Sequence, residues 1–259
     1  MSKEWRKIES KRRYFERKYE IRFSKVLREQ LSKVIEYLKS ERQYYDIEDI
    51  IDSLIEPDVV QNEMIDLYKT VGYDFIKLTP SLVKADNLAE RSFWESELER
   101  LVMTEAGSRI VSITATNRDN IIRLVRKYLD EGIQNGLGIE DITRNLLNNL
   151  TREVNSFTRI QARRIAQTEV IGASNRATWE AAKRLEVPVM KHWLIAPLGI
   201  AKTERHTIPG AVDQYIKQMN EPFYVDGGSG PAPMMHPGDP QGGAENVINC
   251  RCAMSFKTI

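Results

Sequence analysis

The sequence predicts an α+β fold, with a mainly helical N-terminal body and a small C-terminal α+β unit. Three observations carry this reading. Apolar residues recur at spacings of three, four and seven through most of the first 185 residues. After Pro188 the texture becomes β-branched and aromatic, as in Val189-Met-Lys-His-Trp-Leu-Ile195. From His206 onward, Pro and Gly cut the chain into short pieces. The expected organisation is a helical region with a basic arm over 1–115, a second helical region over 116–186, and the α+β unit over 187–259.

Residues 3–40 read as one helix, with Ile8, Phe15, Tyr19, Phe23, Leu27 and Leu31 on its apolar side and Arg and Lys elsewhere. Residues 41–90 are acidic and broken. Asp46-Ile-Glu-Asp-Ile50 looks like a helix start, with negative charge in the first turn, and Pro57 and Pro80 punctuate the rest of the stretch. The carboxylates between Asp46 and Asp58 lack the alternation and central Gly of a calcium loop and read as a solvated face. Residues 91–113 form the next helix, with Phe93, Trp94, Leu98, Leu101 and Val102 as its apolar stripe. Thr116 is the expected N-cap of a helix reaching Ile133, which Gly136 and Gly138 stop. A short helix then covers Ile139–Leu150. Asn155–Phe157 lead into a long helix to Leu185, with Ile160, Ile165, Val170, Ile171 and Trp179 as core candidates. Glu169 on this helix reads as a structural ion pair. In the C-terminal unit, strands are expected at Val189–Ile195, Phe223–Val225 and Val247–Phe256, a short helix at Gly210–Asn220, and one long loop over 226–243.

The composition, 41% hydrophobic and 29% charged, suits an ordinary globular core and a hydrated surface. No apolar run reaches the length of a membrane-spanning helix, and the charged N-terminus does not resemble a secretory signal. Two cysteines one residue apart make no disulfide framework, so a reducing cytoplasm, or a particle assembled there, is the expected setting. The net charge of +1 hides a segregation. Residues 1–28 carry eleven Lys/Arg against four Glu, residues 29–157 fifteen against twenty-four acidic residues, and residues 158–184 six against two. Such asymmetry marks Arg6, Lys7, Lys11, Arg12, Arg13, Arg17 and Lys18, with Arg163 and Arg164, as candidate contacts for nucleic acid or a protein partner. Trp5, Tyr14, Phe15 and Tyr19 are interleaved with the first group. The alternative is a basic face that is merely solvated.

Both cysteines and two of the three histidines lie between His206 and Cys252. On a strand, Cys250 and Cys252 share a face because side chains alternate. With His206 and His236 they supply the ligand types of a structural Zn²⁺ site. Two small buried apolar residues are the other reading. Cys250, His206 and Asp239 or Asn249 also supply the types for thiol catalysis, but no oxyanion-hole motif, nucleophile elbow, Walker loop or His-Glu-x-x-His accompanies them, so no enzyme is expected. Pro237-Gly238-Asp239-Pro240 reads as a rigid turn.

The order His206…Pro209-Gly210, Pro222-Phe223, His236-Pro-Gly-Asp-Pro240 and Ile248-Asn-Cys-Arg-Cys252 resembles the C-terminal signature of phage minor head proteins, the Mu F-like, SPP1-type head morphogenesis family. The helix Arg163-Arg-Ile-Ala-Gln-Thr-Glu-Val170, followed by Asn175, is similar to that family's Ala-Arg-Thr-Glu helix. The resemblance covers Arg159 to Phe256, with a weaker extension back to Asn117. One departure is that the family usually carries an Asp and one or more Arg between the Trp and the first His, where this chain has Leu194-Ile-Ala-Pro-Leu-Gly-Ile-Ala-Lys202. The resemblance implies a virion component, assembled in the host cytoplasm. It would meet the portal protein and capsid or scaffold components and act in head assembly and in DNA packaging or delivery. A sequence-independent binder of double-stranded DNA acting through the basic arm is the first alternative, and a zinc- or thiol-dependent hydrolase the second.

Overall fold

The computed structural model describes residues 3–40, 46–83, 91–184, 187–197, 206, 212–228 and 230–258. The expected α+β class holds: helices fill the described part of the first 184 residues, and short antiparallel strands come after them. The helices are α1 (Lys3–Ser40), α2 (Ile47–Leu54), α3 (Pro57–Val83), α4 (Arg91–Glu105), α5 (Gly107–Gln134), α6 (Ile139–Arg184) and the short α7 (Gly243–Val247). The strands are β1 (Val189–Leu194), β2 (Ile216–Lys217), β3 (Phe223–Asp226), β4 (Pro231–Met234) and β5 (Ala253–Thr258). None of these helices is long and apolar enough to cross a membrane.

The chain forms two compact units that are not consecutive in sequence. One contains residues 1–19, 64–105 and 166–259, and the other residues 20–63 and 106–165. The expected division at 115 and 186 follows the change of texture along the chain. These units instead follow long helices, so α1, α3 and α6 each contribute to both.

In the second unit, one apolar cluster joins Leu31, Val34 and Leu38 of α1, Ile47 and Ile51 of α2, Leu124 and Val125 of α5, and Leu146, Leu150 and Val154 of α6. A Cβ on Gly132 would stand 2.6 Å from Ile142, so its absence lets α5 and α6 close up. A buried amide pair links the helices. Asn117 Nδ2 donates to Gln30 Oε1 at 2.8 Å, and Gln30 Nε2 donates to the Glu56 carbonyl at 3.0 Å.

In the first unit, β2, β1 and β5 form an antiparallel sheet in that order, and β3 and β4 form a separate hairpin. Trp193 of β1 stands opposite Met254 of β5, and Tyr224 opposite Pro233. The inward residues of β1 are Val189, Lys191 and Trp193; Val189 and Trp193 share an apolar cluster with Trp179, Phe223, Val225, Met254 and both cysteines, and Lys191 Nζ donates to the Met235 carbonyl at 3.1 Å. The His236 loop is the expected tight turn. Gly238 has φ +79° and abuts Gly172 of α6, and Asp239 accepts from the amides of Met235 (2.7 Å) and Gln241 (3.1 Å).

Several expectations fail for physical reasons. The helix break falls at Ala106-Gly107 rather than at Thr116, which lies inside α5. The nearby Thr114 turns its hydroxyl onto the Ile110 carbonyl at 2.9 Å and so extends the helix instead of capping it. Residues 151–157 do not interrupt α6. Thr151 and Asn149 bond back to carbonyls four residues earlier, and no Gly or Pro occurs between Ile139 and Ile171. Ile160, expected in the core, is 60% exposed. Pro80 lies within α3 near its end. In place of a helix at Gly210–Asn220, the described residues 212–220 hold a bridge from Val212 to Val225 and strand β2. Within the expected 226–243 loop, Pro231–Met234 is strand β4. Leu185 and the interval 198–205 lie outside the described residues.

Candidate metal centre

The third expected strand begins later than its composition suggests, at Ala253. Cys250 and Cys252 therefore do not converge by strand alternation. Helix α7 ends at Val247, Asn249 takes the left-handed φ of +61°, and the Cys250 amide donates to the Val247 carbonyl at 3.3 Å. The Cys252 amide then donates to Cys250 Sγ at 3.4 Å. This turn brings both sulfurs to one imidazole. His206 Nδ1 lies 3.5 Å from Cys250 Sγ and 3.6 Å from Cys252 Sγ, and all three residues are buried. They form a group that can hold one metal ion.

The surroundings are apolar and tightly fixed. Trp193 meets His206 edge to face at 5.8 Å and Phe223 at 5.2 Å. A hydrogen bond between the two sulfurs draws the Cys252 thiol well below its ordinary value and pushes Cys250 up, and His206 adds to the lowering at Cys252. Such a pair gives up its first proton readily, as a metal ligand must.

His236 does not join this group. Its Nδ1–H donates to the Pro237 carbonyl at 3.1 Å, and its ring packs 5.8 Å from that of Trp179. The loop is pinned to α6 because Asn175 Nδ2 donates to the same carbonyl at 2.9 Å. Burial lowers the His236 pKa to about 4, so the ring is neutral at physiological pH.

Arg12 is the second correction. The charge pattern places it among the outward basic contacts, yet it is fully buried. Its Nε donates to Ser174 Oγ (2.8 Å), Nη1 to the Cys252 carbonyl (3.0 Å) and Nη2 to Asn175 Oδ1 (2.5 Å). Burial lowers its pKa to about 10, which leaves it charged. Beside it, Arg251 pairs with Glu9 and Glu16 of α1, and the Trp5 indole donates to the Arg251 carbonyl at 3.2 Å. Trp5, Phe15 and Tyr19 are likewise core residues, which leaves Tyr14 as the exposed aromatic of that group. Arg6, Lys7, Arg13, Arg17, Arg163 and Arg164 are exposed. Lys11 and Lys18 are half-buried, Lys11 paired with Asp74 at 3.2 Å and Lys18 over the Tyr19 ring.

Sequence reasoning placed Asn175 in the family-like helix motif without giving it a role, and missed Asn246. Asn175 accepts from Arg12 and from the Met254 amide (2.9 Å), and donates to the Pro237 and Cys252 carbonyls. No spacing rule marks an Asn that serves backbone from distant segments.

Similarity to known proteins is limited. The chain is 29% identical over 136 residues to a Bacillus subtilis (strain 168) protein described only as uncharacterized protein YqbB. The match covers 52% of this chain and 42% of that protein's length, so the chain spans less than half of the relative. No protein-family model matches the chain. No solved structure matches it.

Proposed function

We propose that the chain is a phage minor head protein, a structural and assembly component of the virion that works at the portal vertex and procapsid interior during head morphogenesis and DNA packaging or delivery. The observation that carries this reading is the ordered run of motifs from Arg163-Arg-Ile-Ala-Gln-Thr-Glu-Val170 to Ile248-Asn-Cys-Arg-Cys252. The described members of that run serve one another. Asn175 holds the Pro237 and Cys252 carbonyls, and His206 meets both cysteines. Motif residues spent on holding segments together suit an architectural role rather than substrate turnover.

In this reading the metal is Zn²⁺ and its role is structural, with His206, Cys250 and Cys252 as three of the four ligands that a closed site takes. Zn–S bonds of about 2.3 Å and a Zn–N bond of about 2.0–2.1 Å at a tetrahedral angle set sulfur and nitrogen about 3.5 Å apart. The two separations here are 3.5 and 3.6 Å. Two thiolates and a neutral imidazole neutralise the ion, and the bound metal would lock the turn after α7 onto His206.

The experiment is a pull-down of the full chain with its cognate portal protein, with and without DNA. Retention on portal without DNA is expected. Capture only through DNA, or no capture, contradicts the proposal. Charge reversal at the exposed Arg163 and Arg164 should leave the fold intact and abolish co-sedimentation with procapsids.

A second reading, sequence-independent DNA binding, is favoured by one observation. The exposed residues of α1 between Lys3 and Arg17 include Arg6, Lys7 and Arg13 and no acid, because Glu9 and Glu16 are buried and Glu4 is half-buried. Charge reversal at Arg6, Lys7, Arg13 and Arg17 should then flatten the salt dependence of duplex affinity. An unchanged slope removes this reading.

A further inference from the structure

We infer that Asn246, given room by Gly227, sets the tautomer of His206 and so makes Nδ1 the metal-ligating atom. The inference rests on the metal centre proposed above and extends it to two residues that touch no metal. Asn246 is 4% exposed and lies in α7. Its Nδ2 donates to the Gly242 carbonyl at 2.9 Å and to the Val225 carbonyl at 3.3 Å. Two acceptors at one end of an amide fix which end is NH₂. Oδ1 therefore points the other way, and it lies 3.2 Å from His206 Nε2. A carbonyl oxygen accepts only, so Nε2 carries the proton and donates it. In the neutral ring the lone pair is then on Nδ1, the atom facing both sulfurs. A ligand histidine held through its other nitrogen in this way is oriented before the metal arrives, and such partners typically alter metal affinity by about 10–100-fold.

Gly227 enters because of space. A Cβ there would stand 2.5 Å from Asn246 Oδ1, the atom that accepts from His206. Asn246 cannot retreat without breaking its bonds to Val225 and Gly242. The two residues are 19 positions apart in sequence, Gly227 just after β3 and Asn246 in α7, yet they act on the same hydrogen bond.

The test uses the full chain labelled with ¹⁵N, read by long-range imidazole ¹H–¹⁵N correlation, with Zn²⁺ affinity measured by chelator competition. The chain has three histidines, and His206→Gln assigns the relevant signals. In the wild type, a protonated Nε2 is expected both without metal and with Zn²⁺, with the Nδ1 resonance shifting on loading. Asn246→Leu and Gly227→Ala should each weaken Zn²⁺ binding by about 10–100-fold and give mixed tautomers at His206. If either variant fails to fold, the wild-type spectrum still decides, because metal bound through Nε2 overturns the inference. So does an Asn246→Leu protein with unchanged tautomer and affinity. A wild type that takes up neither Zn²⁺ nor Co²⁺ overturns the metal centre itself, an outcome distinct from failure of Asn246 as its positioning residue.

Discussion

Arg12 is a cation turned into the interior, and of its three acceptors Asn175 Oδ1 and the Cys252 carbonyl keep a second donor, the Met254 amide and Asn175 Nδ2. Removing it takes the donor from the buried Ser174 hydroxyl oxygen, worth about 1–3 kcal/mol, takes one of two donors from Asn175 and Cys252, and leaves a cavity where a large, fully buried side chain stood. Arg12→Ala should therefore lower the urea midpoint by the equivalent of about 3 kcal/mol or more, while Arg17→Ala, on the exposed face, should stay within about 0.5 kcal/mol. The position was legible in part. Arg12 falls on the helical stripe of Ile8, Phe15 and Tyr19, so its spacing pointed inward while its charge pointed outward. His236 gives a second prediction. Its folded pKa of about 4 is below the unfolded value near 6.5 because burial disfavours the charged ring, with Arg176 and Lys191 adding to this and Asp239 opposing it. The unfolded chain then binds the extra proton first. Stability is intact above pH 6.5 and falls as pH drops towards 4, by about 3 kcal/mol from this group. Urea titrations at about pH 7 and pH 5 should show that slope in the wild type and a smaller one in His236→Asn, which retains a donor for the Pro237 carbonyl. Equal slopes would remove His236 from the account.

Among the elements, α1 was placed well, because a 38-residue amphipathic pattern leaves one solution. What the pattern could not say is what the charged residues near its inner face would meet. Glu9 and Glu16 meet Arg251, about 240 residues away, in a buried cluster where burial raises the Glu16 pKa. Taking out the cation alone should be worse than taking out all three charges. Arg251→Met should cost about 3–5 kcal/mol by urea unfolding, and adding Glu9→Gln and Glu16→Gln should recover much of the loss. If the triple variant is no more stable than the single, the carboxylates are not the reason. Helix ends were less legible than helices. Ser, Thr and Asn in α5 and α6 read as caps or loops, but inside a helix they bond to the preceding turn and the helix continues. Strand β4 was hidden by Pro231 and Pro233, which the outer side of a two-stranded hairpin tolerates.

For the molecule as a whole, the C-terminal residues share their compact unit with the first 19 residues of the chain. Serial reading of a sequence cuts it into consecutive segments, and long helices defeat that habit. The metal-centre residues were legible as types and as a cluster near one chain end. Their geometry was not, since it depends on the turn at Asn249 and on an Asn246 bond that no local pattern encodes. One consequence is that the C-terminal segment should not fold alone. Deleting residues 3–19 removes the Arg12 bonds, the partners of Arg251 and the Trp5 contact, and should abolish its protection from protease rather than merely weaken DNA binding. The claim on which the account of this unit turns is that His206, Cys250 and Cys252 hold one metal ion. Native mass spectrometry of protein purified without chelator tests it most directly. The account predicts about one Zn²⁺ per chain, lost in the Cys250→Ser/Cys252→Ser protein together with part of its thermal stability. A wild-type mass with no metal, unchanged after incubation with Zn²⁺, would contradict it.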